Sequence, residues 1–561
     1  MRSSRLMTVA VGLVAIVSGG LTLVSNASAE RAAPDDALTE VRPIGSARDA
    51  AYESDWYWAT PDEVFYYRDR DDNLAVVNYV ADGPGLMVDT YDRATFARVG
   101  QPRTISLDGW PRWGGFYAAP DGSFFVLVGR NNLDQEDAKD VVAVRHYSAA
   151  WELTGTAFVK GGASQLVEGI SEPFDAGAPA MLMVDDRLVV HMSRLMYEDP
   201  KDGLRHQANL TFEVDVDTMV ATTFEELLEW SGFAYSSHSF QQLLTTYGDS
   251  LVMLDHGDAL PRAIQIGVMA DYPTQREVET YEVLPFNAAP GDKYNFTGAG
   301  VTGLVSGPDG VVAIGRSIRH PDAPDGPVVD ESDARNAFLL AFDPATGASD
   351  QVWLTDFAAD GSTTALEPRV VQVAANRWVV LFSVKSGSTY RTEYRLIDSS
   401  AAVLASATIE GFYFSPISDP IELDGCVYWV GVEPGSDSVP NPAHLFGIDV
   451  TQPTSPTLGG SACSSGPTNP DPEPPVNTDP PRLKGKRTVG SVLRVDDGSW
   501  TPTPESFSYQ WFRDDRRLRR ESGATYQVRR KDRGHVVKVE VTASVEGAGS
   551  ASAWTNGKRI R

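Results

Sequence analysis

From Val64 onward the chain reads as short apolar runs separated by tight polar turns. The three-to-four-residue period of an amphipathic helix is almost absent, and only Thr222–Trp230 has it. Seven times a β-rich run meets a turn pair and a second β-rich run. The pairs are Asp72-Asn73, Asp121-Gly122, Asp185-Asp186, Gly248-Asp249, Asp309-Gly310, Ala375-Asn376 and Asp424-Gly425, at intervals of 49 to 66 residues. Gly, Asn and Asp tolerate the positive φ that two-residue hairpins need. After most of these hairpins comes another run ending in an acid, at Asp89, Asp215, Asp343, Asp398 or Asp449, whose carboxylate can cap a turn before a further strand. Each unit is therefore expected to be four strands, two hairpins in series.

One twisted four-stranded sheet cannot bury both its faces, whereas a radial stack of them can. Seven such units predict an all-β, seven-bladed β-propeller over residues 30–463. Six or eight blades, or two stacked sandwiches, are the alternatives. The ring must close, and Leu38–Ile44 is expected to pair beside Phe446–Val450. The two cysteines, Cys426 and Cys463, lie 37 residues apart across the last unit. A disulfide between them would staple the closing blade and contribute roughly 3–4 kcal/mol on the chain-entropy picture. Residues 464–481, SSGPTNPDPEPPVNTDPP, cannot build a core and read as a stiff spacer ahead of a small module at 482–561.

Composition places this architecture outside the cytoplasm. Arg2 and Arg5 precede an apolar stretch from Met7 to Val24 and the small residues Ala27-Ser28-Ala29, so residues 1–29 read as a secretory signal peptide. No later run is long and apolar enough to predict a transmembrane anchor. The net charge of −28 is uneven: residues 482–561 carry 18 Lys and Arg against 9 Asp and Glu. An acidic body repels phosphates, which argues against nucleic acid as a partner. The basic tail suits an anionic polymer or glycan of the cell envelope. The expected location is secreted, extracellular or envelope-associated.

In the C-terminal module a set of residues recurs in a recognisable order: Gly485, Val489-Gly490, Leu493, Gly498-Ser499-Trp500, Tyr509-Gln510-Trp511, Gly523-Ala524-Thr525-Tyr526, Asp532, Gly534, and alternating Val537, Val539 and Val541. This pattern resembles the immunoglobulin-like repeat of secreted actinobacterial proteins. The resemblance implies a small β-sandwich with an accessory, envelope-contacting role. The copy departs from it in the basic turn that holds Arg513, Arg516, Arg517, Arg519 and Arg520. Alternation through Val541 predicts a strand with one buried face, and Trp500 and Trp511 are expected in its core.

Chemistry is harder to place. Nucleophile elbow, phosphate loop, dinucleotide fingerprint, zinc helix, EF-hand and sialidase-type Asp box are all missing. Four of the eight histidines, His191, His206, His238 and His256, fall in three polar clusters: GLRHQANLTF, SSHSFQQL and LDHGDALPR. These are expected at strand ends or loops of the third and fourth units. The candidate ligand-binding residues are Arg205, His206, His238, Asp255, His256, Asp258 and Arg262. Arg and His suit a carboxylate or sugar hydroxyls, and the aspartates accept hydrogen bonds. Polar carpentry between units is the competing reading. Imidazoles beside carboxylates also suit metal or acid–base chemistry, yet the spacing matches no compact ligand motif, so no metal or cofactor is expected. Trp110 and Trp113 are expected to pack between units rather than stack on sugars. The functional expectation is an extracellular binding protein for a glycan, wall polymer or protein. The alternative is a polysaccharide hydrolase or lyase using His206, His238, Asp255 and His256, and the sequence does not decide whether the protein is an enzyme.

Overall fold

The computed structural model describes residues 59–561, apart from 82–84, 163–168, 225–233, 287–296, 320–333, 435–442, 451–456, 459–474 and a few short gaps. The expected signal peptide, the closing strand at Leu38–Ile44, Cys463, Arg519, Arg520 and most of the spacer lie outside the described residues, as does most of the helix expected at Thr222–Trp230. The chain is all-β and forms two compact units.

In the larger unit the sheets follow one another in chain order, each an antiparallel meander. Four strands from Val64 to Ile105 form the first sheet and four from Arg112 to Lys160 the second. Strands from Glu172 to Pro285 form one nine-stranded sheet. Two further four-stranded sheets span Gly300–Trp353 and Thr363–Glu410, and a five-stranded sheet runs from Tyr413 to Leu458. The third and fourth expected units are thus fused. They meet as neighbouring strands, Arg205–Asp215 beside Ser237–Tyr247, through the single pair Ala208 and Ser237.

Burial follows strand position. Central strands are apolar on both faces, as in Phe124–Gly129 and Cys426–Val432, where every residue is buried. Outer strands alternate, as in Val403–Glu410. A sheet whose centre is covered on both faces must be flanked by two neighbours. Val77 and Val88 of the first sheet share a core with Phe116 and Val126 of the second. Leu127 and Val144 of the second pack on Leu188, Val190 and Phe212 of the nine-stranded sheet. Its two halves meet at Val189, Phe224, Leu251 and Met253. Val252 and Ile264 then pack on Val311 and Phe338, and Ile314 and Leu339 on Val380 and Phe382. The last sheet returns to the first, because Val64 bridges Ser418 and the Tyr66 hydroxyl lies 2.6 Å from Ser418 Oγ.

The turn chemistry is largely as expected. Asp72, Asp185 and Asp424 hold φ of 66°, 54° and 53° at their hairpins. Asp215 caps its turn by accepting from the Thr218 amide at 3.0 Å, and Asp343 accepts from Ala345 at 2.9 Å. Asp89 differs: it sits inside a strand, fully buried, and accepts from Arg98 Nε at 2.9 Å. Trp113 is buried, donating from Nε1 to the Asp62 carbonyl at 2.7 Å, while Trp110 lies half-buried under the Arg130 guanidinium.

In the smaller unit strands of three sheets share one core. Leu493 and Tyr526 come from one side, Trp511, Val537, Val539 and Val541 from the other, with Trp500 between. Buried Asp532 ties the fold together: it accepts from Arg513 Nε at 2.7 Å and from the Tyr526 hydroxyl at 2.8 Å. The end of the proline-rich run is not spacer but strand, since Val476–Asp479 pairs with Ser499–Thr501.

Candidate functional site

The stretch LDHGDALPR is strand rather than loop. Ser250–Leu260 runs through it, and Asp258 pairs with Arg262 at the turn into the next strand. Period-two geometry sends Asp255 to one face and His256 to the other, and their fates differ accordingly.

Asp255 is interior, 1% exposed. Its Oδ2 takes His191 Nε2 at 3.1 Å and Asn209 Nδ2 at 2.9 Å, and its Oδ1 accepts from Ser239 Oγ at 2.5 Å. His191 Nδ1 lies 2.7 Å from Thr211 Oγ1. Asn209 also donates to the Ala234 carbonyl at 2.6 Å and accepts from the Ser236 amide at 3.0 Å. Each lone pair of Asp255 that is used is used inside the protein, so Asp255 meets no ligand in this arrangement. Gly177 belongs to the same packing: a Cβ there would lie 1.9 Å from Ser193 Oγ and 2.8 Å from Gln242 Oε1.

His256 is also buried. Its Nε2 lies 2.8 Å from Thr297 Oγ1, and its ring meets Phe240 and Phe286 edge-on at 5.8 and 5.3 Å. Burial, helped by the positive charge of Arg262, pushes the imidazole down to about 4, so it is neutral at physiological pH.

At the rim the arrangement opens. His238 is the second residue of Ser237–Tyr247, at an irregularity where the register slips between Ser237 and Ser239. Its φ is 53°, in the left-handed region, which costs a non-glycine residue of the order of 1–2 kcal/mol. The turn so made brings His238 Nδ1 within 3.0 Å of Asp258 Oδ1. The Asp258 side chain is fully buried, whereas that of His238 is 32% exposed. Asp258 Oδ2 has no hydrogen-bond partner among the described residues. Arg262 donates to the Asp258 carbonyl at 2.7 Å, and its half-buried guanidinium is lowered by burial against the opposing charge of Asp258. A carboxylate on Nδ1 fixes the tautomer of neutral His238, leaving Nε2 as an acceptor.

Arg205 and His206 belong to a different hairpin. Arg205 donates to the Leu133 carbonyl at 3.1 Å, and His206 Nε2 pairs with Asp202 at 2.9 Å. Asp199, Asp202 and His206 each offer one ligand atom, all within 4.8 Å of one another, which makes this the group among the described residues able to hold a cation. The structure thus gathers His238, Asp258 and Arg262, buries His256 and Asp255, and gives Arg205 and His206 other partners, the Leu133 carbonyl and Asp202.

One cluster escapes sequence reasoning. Arg369 forks onto Asp62, with Nη2 2.9 Å from Oδ1 and Nη1 3.3 Å from Oδ2, and Nη1 also reaches Asp419 at 2.8 Å. Glu367 beside it takes Arg316 at 2.7 Å. Burial pushes the Asp62 carboxyl up to about 7 despite the Arg369 guanidinium, with Asp419 and Glu367 adding to the rise. Asp62 and Arg369 are 307 residues apart, so no local pattern could announce them.

No protein-family model and no curated protein sequence matches the chain. Among solved structures it is similar to a mutant of Synechocystis apocarotenoid oxygenase, at 11% identity and a TM-score of 0.35, over 62% of this chain and 71% of that one. The cobalt-substituted form of that enzyme gives 12% and 0.36 over the same shares. A prolyl endopeptidase gives 12% and 0.41, over 81% of this chain and 57% of the other. At these levels the likenesses carry neither an activity nor a site to this chain.

Proposed function

We propose that the protein is an exported ligand-binding protein whose larger unit is a seven-bladed β-propeller, with the nine-stranded sheet supplying two blades. A stapling disulfide from Cys426 to Cys463 and an immunoglobulin-like C-terminal module with an envelope-contacting role belong to the same reading. Support comes from the chain order in which successive sheets share cores, and from the core of packed strands around Trp511.

The observation that carries the function is His238. It is held at φ 53° against a fully buried carboxylate, with its other nitrogen left to act. Strain of this kind persists where the surroundings over-determine a position. Nε2 of His238 accepts a hydroxyl proton, and the Arg262 guanidinium suits a carboxylate. The ligand is a hydroxylated, acid-bearing glycan of the envelope. Glycan-array binding of the full chain tests this. His238→Ala and Arg262→Ala should each weaken retention by about tenfold or more, and unchanged retention by both would refute the site.

A second reading, a polysaccharide hydrolase or lyase, draws on the same fixed tautomer, which prepares His238 as a general base. Of the four residues expected to work together, His238 is half-exposed against a fully buried carboxylate, whereas His206, equally exposed, pairs with the exposed Asp202. Release of shortened product that vanishes in His238→Ala favours the enzyme, and retention without turnover favours the binder.

A further inference from the structure

A separate cleft opens where the first and second sheets meet, beyond the tips of their first hairpins. It holds about 570 Å³ and is lined by Phe65, Tyr67, Arg70, Phe116, Tyr117 and Asp419, among others. That volume is within the few-hundred-Å³ range of small-ligand sites.

Its wall is aromatic and firmly backed. Tyr67 packs on Phe124 at 4.6 Å, Phe116 stacks on Trp151 at 5.7 Å, and Phe124 on Trp151 at 4.4 Å. The rings of Phe65, Tyr67 and Tyr117 remain half-exposed. Few polar groups reach the cleft, and they are placed to act. The Tyr67 hydroxyl accepts from Trp151 Nε1 at 3.1 Å, which leaves its own proton to donate outward. Burial keeps that phenol protonated. Asp419 gives one oxygen to Arg369 at 2.8 Å, while its side chain stays 61% exposed. Arg70, also in the lining, is exposed. The remaining charges are spent locally: Arg68 pairs with Asp72, and Asp69 Oδ1 accepts from the amides of Asp71 and Asn73 at 2.9 and 2.8 Å.

The lining therefore carries one exposed guanidinium and one exposed carboxylate of opposite sign. An ionic ligand would meet an unmatched opponent. A neutral ring with an apolar face and peripheral hydroxyls meets none, since C–H groups lie on aromatic carbon while hydroxyls take both donors and acceptors. We propose that this cleft binds a neutral pyranose. The inference stands independently of the His238 site.

The test uses the full chain and the methyl glycosides of glucose, galactose, mannose and N-acetylglucosamine, observed by saturation-transfer NMR and titrated to millimolar concentrations. At least one should bind, and Tyr67→Phe, which keeps the ring and removes the O–H, should weaken it about tenfold. Asp419→Asn should weaken it similarly. Far-UV circular dichroism of each variant shows that the sheets persist. Absence of binding to all four glycosides overturns the proposal, as does equal binding by wild type and both cleft variants, or tighter binding of glucuronate than of the neutral glucoside.

Discussion

His256 provides the sharpest prediction. Its ring sits 6% exposed between Phe240 and Phe286 and is held neutral, with its proton affinity pushed down to about 4 from an ordinary 6.5. Because the native state binds the proton less tightly than the unfolded chain, the stability this group contributes is fully present above pH 6.5. It is lost as the pH falls through that value towards 4. By linkage the loss amounts to about 3 kcal/mol. His256→Phe removes the ionisation, keeps an aromatic ring of similar size, and gives up the contact with Thr297 Oγ1 at 2.8 Å. At pH 7 the variant should be weaker by about 1 kcal/mol, the net worth of one neutral hydrogen bond. At pH 4 it should be the more stable of the two, by about 2 kcal/mol once the lost bond is deducted from the linkage figure. Urea unfolding of both proteins at pH 7 and pH 4, followed by tryptophan fluorescence, measures the double difference, in which carboxylates common to both cancel. Parallel stability curves across that range would refute a neutral, buried His256.

Three further outcomes follow. Asp255→Ala strands the donors of His191, Asn209 and Ser239 in the interior, and should cost about 3–5 kcal/mol by urea unfolding, whereas the exposed Asp202→Ala should leave the midpoint nearly unmoved. Asp62, raised to about 7, behaves oppositely to His256: its contribution is full below pH 4 and is lost as the pH rises through 7. Asp62→Asn should abolish up to about 4 kcal/mol of pH dependence between 4 and 8, readable from the same melts. Gly177→Ala, which drives a methyl to 1.9 Å from Ser193 Oγ, should destabilise by about 1–3 kcal/mol. Wild-type stability for that variant would mean that the loop has room to move.

Local chemistry was legible in the sequence, and long-range chemistry was not. Turn pairs such as Asp185-Asp186 announce a hairpin because the φ they need is a property of two residues, and Asp185 indeed holds φ 54°. Trp511 could be placed in a core because Val537, Val539 and Val541 alternate. Clustering of His238, Asp258 and Arg262 was visible because one hairpin and one neighbouring strand bring them together. Asp255 was misplaced for a related reason: adjacent polar residues on a strand point to opposite faces, and a cluster counted along the chain cannot tell which face is buried. Asp89 reads in the sequence as a turn cap, but it pairs with Arg98 on the far side of the turn and is buried. The charge cluster around Arg369 could not be foreseen at all, since Arg369 and Glu367 lie on the strand Thr363–Ala374 while Asp62 and Asp419 come from outside any strand, with Asp62 lying 307 residues away in the chain.

The polar interior and the candidate site share one strand, Ser237–Tyr247. Elsewhere in the larger unit adjoining sheets meet face to face, and apolar side chains fill the space. Between the halves of the nine-stranded sheet a strand meets a strand through one pair, Ala208 with Ser237, and the ladder then stops. Backbone groups beyond that pair need partners, and side chains supply them: Asn209 serves Ser236 and Ala234, and Gln207 Nε2 donates to the Asp175 carbonyl at 3.0 Å. Amides placed for this purpose require acceptors and donors in turn, and Asp255 with His191 completes the set. On the other edge of the same strand, where Ser237–Tyr247 pairs with Ser250–Leu260, a register slip turns His238 towards Asp258. Regular pairing on that edge would leave no such bulge, so restoring it should remove the site while leaving the interior network whole.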